Sequence, residues 1–221
     1  MDQPDFQSIA AQLRNPNGED GIKTAIRMSE NNAFMITCCI DTLCMKAHEK
    51  VLEIGMGGGL HLPYLFQKES SIQYYGVDIS ETMVEMASQN NVSLIEKKMV
   101  QLKLVVSENG FCNIPFPDYS FDKIFTVNTL YFWDNTIEQA KEIYRVLKPN
   151  GQVSVAFAEA DFMEQLPFTK FDFHLYTNKD AIALFENAGF KNVEIYQQKE
   201  WIENTVNGNI ERVFSILTAT K

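Results

Sequence analysis

Residues 51–59 read Val51-Leu52-Glu53-Ile54-Gly55-Met56-Gly57-Gly58-Gly59, an apolar strand that ends in a carboxylate and runs into a glycine turn. Val51, Leu52 and Ile54 supply the apolar run of a strand buried on both faces, as in a parallel sheet. Gly55, Gly57 and Gly59 let the backbone turn sharply and approach a ligand with no Cβ in the way. A second run, Gln73 to Val77, ends at Asp78. A carboxylate at that strand end only accepts hydrogen bonds, which suits the two hydroxyls of a ribose in the crevice of an open α/β sheet. Together the two strand ends describe an adenosine site.

The glycine spacing narrows the ligand. A dinucleotide fingerprint, G-x-G-x-x-G, needs its third glycine for close helix packing and rests a pyrophosphate on the helix N-terminus. Here Leu60 stands at that place. Glu53, two residues before the first glycine, would repel a pyrophosphate and suits a cationic ligand.

Length and composition set further bounds. A chain of 221 residues is the size of one α/β core, and 1–221 is read as a single domain. With 19 Lys and Arg against 29 Asp and Glu, the net charge of −10 argues against nucleic acid, whose binding draws on Lys and Arg meeting phosphates. Cys38, Cys39, Cys44 and Cys112 fit no zinc spacing, so no metal is expected and the thiols are read as reduced. No stretch approaches the ~20 apolar residues of a membrane span. The N-terminus is acidic where a signal peptide is basic, and the expectation is a soluble, cytoplasmic protein with no membrane partner.

Along the chain, Ile36, Cys39, Ile40, Leu43 and Ala47 recur at helical spacing and predict a helix over 32–47. Asn15 to Gly21 reads as a loop. After the glycine turn a helix carries Pro63 in its first turn, and Ser80 is placed to cap the next. Strands are predicted at Leu102–Val106, Phe121–Val127 and Val153–Phe157, with a helix between the last two that starts on an Asn135–Glu138 capping box and ends at Lys148-Pro-Asn-Gly151. Asn178 is assigned as the cap of a later helix. Val193–Tyr196 and Arg212–Thr218 close the chain as strands, with Asn207-Gly208 as a turn signal between them. Strands alternating with helices, then a terminal hairpin, imply a mostly parallel sheet with an antiparallel last strand.

Three further motifs follow the E-x-G-x-G-x-G run in order: I-P-F-P-D-Y-S-F-D at 114–122, I-Y-R-V-L-K-P-N-G at 143–151 and F-E-N-A-G-F-K-N-V at 185–193. On these the chain resembles the class I S-adenosylmethionine-dependent methyltransferases, in particular the methyltransferase type 11 group. The resemblance implies a Rossmann-like seven-stranded sheet, mostly parallel with an antiparallel last strand, with helices on both faces. It also implies an N-terminal helical segment over 1–45, a core over 46–221, and a substrate-covering insertion near 158–177. The implied activity is methyl transfer from S-adenosyl-L-methionine to a small-molecule acceptor by in-line displacement.

Carried over, Glu53, Gly55, Gly57 and Gly59 match the turn around the methionine part of the cofactor, Asp78 the ribose acid, and Ile79 the apolar residue on the adenine. Glu108 and Asn109 fall where an acidic residue meets the adenine amino group, although the usual G-D-A triplet is absent. Asn128 falls where backbone groups face the methionine part, or is a polar residue ending a strand. Tyr131, Phe132 and Trp133 would line an acceptor pocket or pack as core. His174, Tyr131 and His61 are the candidate bases, and His48, at the opposite end of the first strand, is read as structural. A non-catalytic S-adenosylmethionine-binding protein and a nicotinamide-dependent oxidoreductase are the alternatives.

Overall fold

Three helices precede the first strand: α1 (Phe6–Arg14), α2 (Gly18–Asn31) and α3 (Ala33–Thr42). The computed structural model describes residues 5–104, 113–205 and 208–221, so Glu108, Asn109, Cys112 and Asn207 lie outside the described residues. The side chain of Asp5 caps α1 by accepting from the Ser8 amide at 3.1 Å. The loop expected over Asn15–Gly21 is shorter, because α2 already begins at Gly18. Gly21 lies against the Pro16 backbone, where a Cβ would stand 2.7 Å from the Pro16 carbonyl carbon. The helix expected over 32–47 stops at Thr42, and the left-handed backbone of Cys44 and His48 (φ 45° and 65°) prevents its continuation.

The core then alternates: β1 (Lys50–Ile54), α4 (Leu62–Lys68), β2 (Gln73–Asp78), α5 (Glu81–Asn90), α6 (Val92–Glu96), β3 (Val100–Leu104), β4 (Phe121–Val127), α7 (Thr136–Val146), β5 (Leu147–Ala158), α8 (Ala160–Met163), α9 (Asn178–Asn187), β6 (Lys191–Thr205) and β7 (Gly208–Thr220). The strands form one sheet in the order β3-β2-β1-β4-β5-β7-β6. Only β7 runs antiparallel to its neighbours, as the terminal hairpin implied. Right-handed crossovers leaving β1 toward β2 and β4 toward β5 put their helices on opposite faces, and the order reverses between β1 and β4. The carboxyl ends of these two strands therefore flank a crevice. Val51, Leu52, Ile54, Ile124 and Phe125 are all fully buried, which is why β1 after Lys50 reads as an apolar run interrupted by Glu53 alone.

Local chemistry moved several boundaries. Ser80 caps α5 as expected, accepting from the Met83 amide at 3.1 Å. Asn135 precedes α7 without a side-chain cap, and α9 is capped by Thr177 rather than Asn178, in a reciprocal capping box with Asp180. The chain passes from α7 into β5 at Leu147, and the Lys148–Gly151 segment is absorbed as an irregularity of the strand, with Asn150 at φ 63°. Strands β6 and β7 run well beyond the apolar stretches that marked them, because each is the other's ladder partner past the end of β5.

Two of the quoted motifs meet in space. Arg145 donates to the carbonyls of Ile114 (3.0 Å) and Phe116 (2.9 Å) and pairs with Asp118 and Glu142 at 2.7 Å each. Lys148 reaches Asp122 at 2.7 Å, and Asp122 also accepts from the Lys50 amide at 2.9 Å. One arginine fork thus holds the 114–118 turn against α7.

Candidate active site

The crevice is built on two glycines with distinct tasks. Gly55 ends β1 at φ 73°, its amide donating to the Val77 carbonyl at 2.8 Å, and a Cβ there would collide with Cγ2 of Thr129. Gly57 also has a positive φ, 55°, yet a Cβ on it would meet nothing within 4 Å. Gly55 is needed for packing, and Gly57 leaves open space beside the backbone. That space is the cradle a nucleoside ligand requires at this turn. Gly59 (φ 63°) sits against Asn91, whose side-chain amide donates to its carbonyl at 3.1 Å, while Asn90 donates to the Gly58 carbonyl at 2.8 Å.

Both expected carboxylates are buried here. Asp78 is 6% exposed, with one oxygen accepting from the Gly57 amide and the other from the Ser80 amide, each at 2.9 Å. Each oxygen keeps a second lone pair for a ligand hydroxyl. Burial lifts the Asp78 pKa to about 6, the nearby Glu53 charge adds to the rise, and the two amides oppose it. Glu53 is 3% exposed, and its Oε2 is held by His61 Nε2 at 2.7 Å and by the Tyr74 hydroxyl. Burial, and next the Glu53 charge, raise the Tyr74 pKa far above the usual phenol range, so Tyr74 is the donor to Glu53. Ile79 is half-buried beside Asp78 and packs on the core.

The β4 side is organised by hydrogen-bond direction. Trp133 Nε1 can only donate, and it reaches Thr129 Oγ1 at 3.3 Å. Thr129 meets Thr126 Oγ1 at 2.5 Å, and Thr126 donates to the Ile54 carbonyl at 2.7 Å. Because a carbonyl only accepts, every proton in this chain points from Trp133 toward β1. The loop after β4 is thereby tied to the glycine turn. Asn128, at φ 57°, donates its amide to the Ala156 carbonyl at 2.9 Å and accepts from Tyr131 through its side chain at 3.2 Å.

The candidate bases fall in three different environments. Tyr131 is 2% exposed, its hydroxyl accepts from the Ala158 amide, and burial raises its pKa well above the ordinary value. A phenol so engaged binds the end of β5 to the β4 loop, which opposes the expected role as a base. His61 has its Nε2 on Glu53 and its ring edge-on to Phe125. The His174 side chain is exposed, and its amide donates to the Tyr131 carbonyl at 2.9 Å. His48 is exposed, on the turn before β1.

Of the three expected pocket aromatics, Tyr131 and Trp133 are buried and Phe132 is half-buried. Phe132 meets Phe173 at 4.6 Å between ring centroids, and Phe173 meets Phe168 at 5.7 Å. Tyr74, Asn90, Asn91 and the Thr126–Thr129 pair were not legible as site residues. Their site-facing partners, Glu53, the Gly58 and Gly59 carbonyls and the Ile54 carbonyl, lie on distant stretches of the chain, and no short motif encodes them. Tyr74 left no distinct signal, since Tyr75 beside it is also a phenol and only the fold shows which of the two reaches Glu53.

The family described as methyltransferase domain matches residues 52–155, the segment that holds β1 to β5. Among curated relatives, the uncharacterized methyltransferase YdaC of Bacillus subtilis is 26% identical over 168 residues, covering 76% of this chain and 86% of that protein. The ubiquinone/menaquinone biosynthesis C-methyltransferase UbiE of Geotalea daltonii is 26% identical over 172 residues, covering 66% and 72%. Among solved structures, phosphoethanolamine N-methyltransferase 2 of Haemonchus contortus, in complex with phosphomonomethylethanolamine and S-adenosylhomocysteine, aligns with a TM-score of 0.70. It covers 99% of this chain and 61% of that one at 16% identity, a likeness of fold. No helix among the described residues is long and apolar enough to cross a membrane. The sheet order, the open glycine cradle between two buried carboxylates and the family match agree, and together they support a class I S-adenosylmethionine-dependent methyltransferase.

Proposed function

We propose that the methyl acceptor is a small molecule with a flat or apolar body, seated on Phe132, Phe168 and Phe173. These half-buried rings, two on the segment after α8 and one on the loop leaving β4, are the observation that carries the reading. Half-exposed aromatic rings gathered near a cofactor crevice favour a ring or an alkyl surface over a phosphate backbone. The net charge of −10 also favours a small acceptor over nucleic acid. The UbiE relative, named for a C-methylation in ubiquinone and menaquinone biosynthesis, is consistent with this class.

The cofactor, when bound, supplies a methyl group on a sulfonium that leaves readily, so the protein's work is alignment. Holding both reactants in line is worth ~7–11 kcal/mol of barrier. In this reading Asp78 takes the ribose, Glu53 and the glycine turn take the amino-acid part, Ile79 lies on the adenine, and Asn128 borders the methionine part. Residues 1–45 and 158–177 cover the site within one domain spanning 1–221, in the cytoplasm. The contacts of α1 with the 3-10 turn at Pro167–Lys170 support that cover. His174, carried on the same segment as Phe173, is the base for an acceptor that must lose a proton.

The test is transfer of labelled methyl from S-adenosylmethionine to separate pools of phenols and quinols, aliphatic amines, RNA and protein. Label is expected in a small-molecule pool, and Phe173→Ala should reduce it. Label confined to RNA or protein would overturn the reading.

A further inference from the structure

Glu53 is nine-tenths buried or more, yet both of its hydrogen bonds fall on one oxygen. His61 Nε2 and the Tyr74 hydroxyl converge on Oε2, and among the described residues Oε1 makes no hydrogen bond. A buried carboxylate with a vacant oxygen is expensive unless a cation or donor completes it. The surroundings show how the group is aimed. Tyr74 stands on β2 two places before Gly76, where a Cβ would collide with Met56 Sδ and crowd the Tyr74 hydroxyl at 3.0 Å, so the glycine keeps open the space through which the phenol reaches β1. Gly76 and Glu53 are register partners between β2 and β1. His61 approaches from the entrance to α4, its ring steadied edge-on by Phe125. The carboxylate is thus gripped from two elements at the point where β1 enters the glycine turn.

Resting on the cofactor assignment above, we propose that His61 and Tyr74 are positioning residues for the amino-acid end of the cofactor. By occupying Oε2 together they fix the Glu53 rotamer and present Oε1 to the α-ammonium. Neither touches the adenosine part. This gives His61 a role distinct from that of a base, and it gives the buried Tyr74 hydroxyl a task.

The proposal separates two ligands that share one nucleoside. S-adenosylhomocysteine carries the amino-acid end, and 5′-methylthioadenosine carries the same adenosine and sulfur without it. Calorimetric titration of both is made on the wild type and on Tyr74→Phe, His61→Ala and His61→Gln, after thermal unfolding confirms each fold. Tyr74→Phe and His61→Ala are expected to weaken S-adenosylhomocysteine ~10-fold while methylthioadenosine stays within about twofold, since losing a hydrogen bond to a charged group is of that order. His61→Gln, which keeps an N–H donor, should recover part of the loss. Equal weakening of both ligands, or no change in either, would overturn the proposal. If His61→Ala does not fold, Tyr74→Phe, which keeps the ring, decides. Failure of the wild type to bind either ligand would instead contradict the cofactor assignment.

Discussion

The β1–β2 side of the crevice and its β4–β5 side belong to one sheet, yet they treat polar groups in opposite ways. In the first, two carboxylates are buried with lone pairs left over: among the described residues Asp78 accepts from the Gly57 and Ser80 amides, and Glu53 uses one oxygen. In the second, polar groups are closed on the protein itself. Tyr131 is bound to Ala158, and the Trp133–Thr129–Thr126 chain ends on the Ile54 carbonyl. A region that holds a polar, cationic ligand must stay incomplete without it. A region that only has to present a surface can satisfy itself and expose aromatic rings.

The sharpest way to break this comparison is Asp78→Ala. Ribose hydrogen bonds to a carboxylate are worth ~1.5–3 kcal/mol each, so S-adenosylhomocysteine affinity should fall ~100-fold or more in a variant whose circular dichroism is native. Unchanged affinity would remove Asp78 from the ribose. Gly55→Ala should act on the fold instead. A left-handed φ together with the collision with Thr129 is expected to lower unfolding free energy by roughly 2–4 kcal/mol in urea melts. A stable Gly55→Ala protein would mean that the turn is slack.

Acidity sharpens the contrast next. The Asp78 pKa rises from its ordinary 3.8 to about 6 on folding, so the folded state binds that proton more tightly than the unfolded chain. Its contribution therefore declines as pH rises from about 4 to 6 and is level above, by an amount on the order of 2–3 kcal/mol. Asp78→Asn should flatten that window in urea melts at pH 4.5 and 7. Ligand binding needs the ionised form, so S-adenosylmethionine should bind ~10-fold tighter at pH 7 than at pH 5. A flat affinity profile would contradict the assignment. The smallest effect is expected at the self-satisfied edge. Tyr131→Phe strands the Ala158 amide and should lower stability by about 1–2 kcal/mol, leaving S-adenosylhomocysteine affinity unchanged. An affinity loss there would show that the two regions are coupled.

The same contrast explains what could be read from the chain alone. Strand β1, the glycine turn, Asp78 and the Ser80 cap are local: each depends on neighbours a few residues away, and each was legible. The sheet's antiparallel last strand followed from the order of elements. The Tyr74 bond to Glu53, the carbonyl anchors of Arg145 and the Thr126 bond to the Ile54 carbonyl join residues 21 to 72 positions apart, and side-chain type does not announce them. Tyr131 shows the difference best. Its place at the sheet edge was expected, whereas its engagement with Ala158, 27 positions later, depends on how β4 and β5 end together. Asn178 failed for a smaller reason, since Thr177 with Asp180 made the better box, while Asn135 holds its expected place before α7 without a side-chain hydrogen bond.

Calorimetric titration of the purified protein with S-adenosylmethionine, S-adenosylhomocysteine and NAD in parallel tests the central claim most directly. Saturable binding of the first two and none of NAD is the expected result. Preference for NAD, or no nucleoside binding by folded protein, would contradict it.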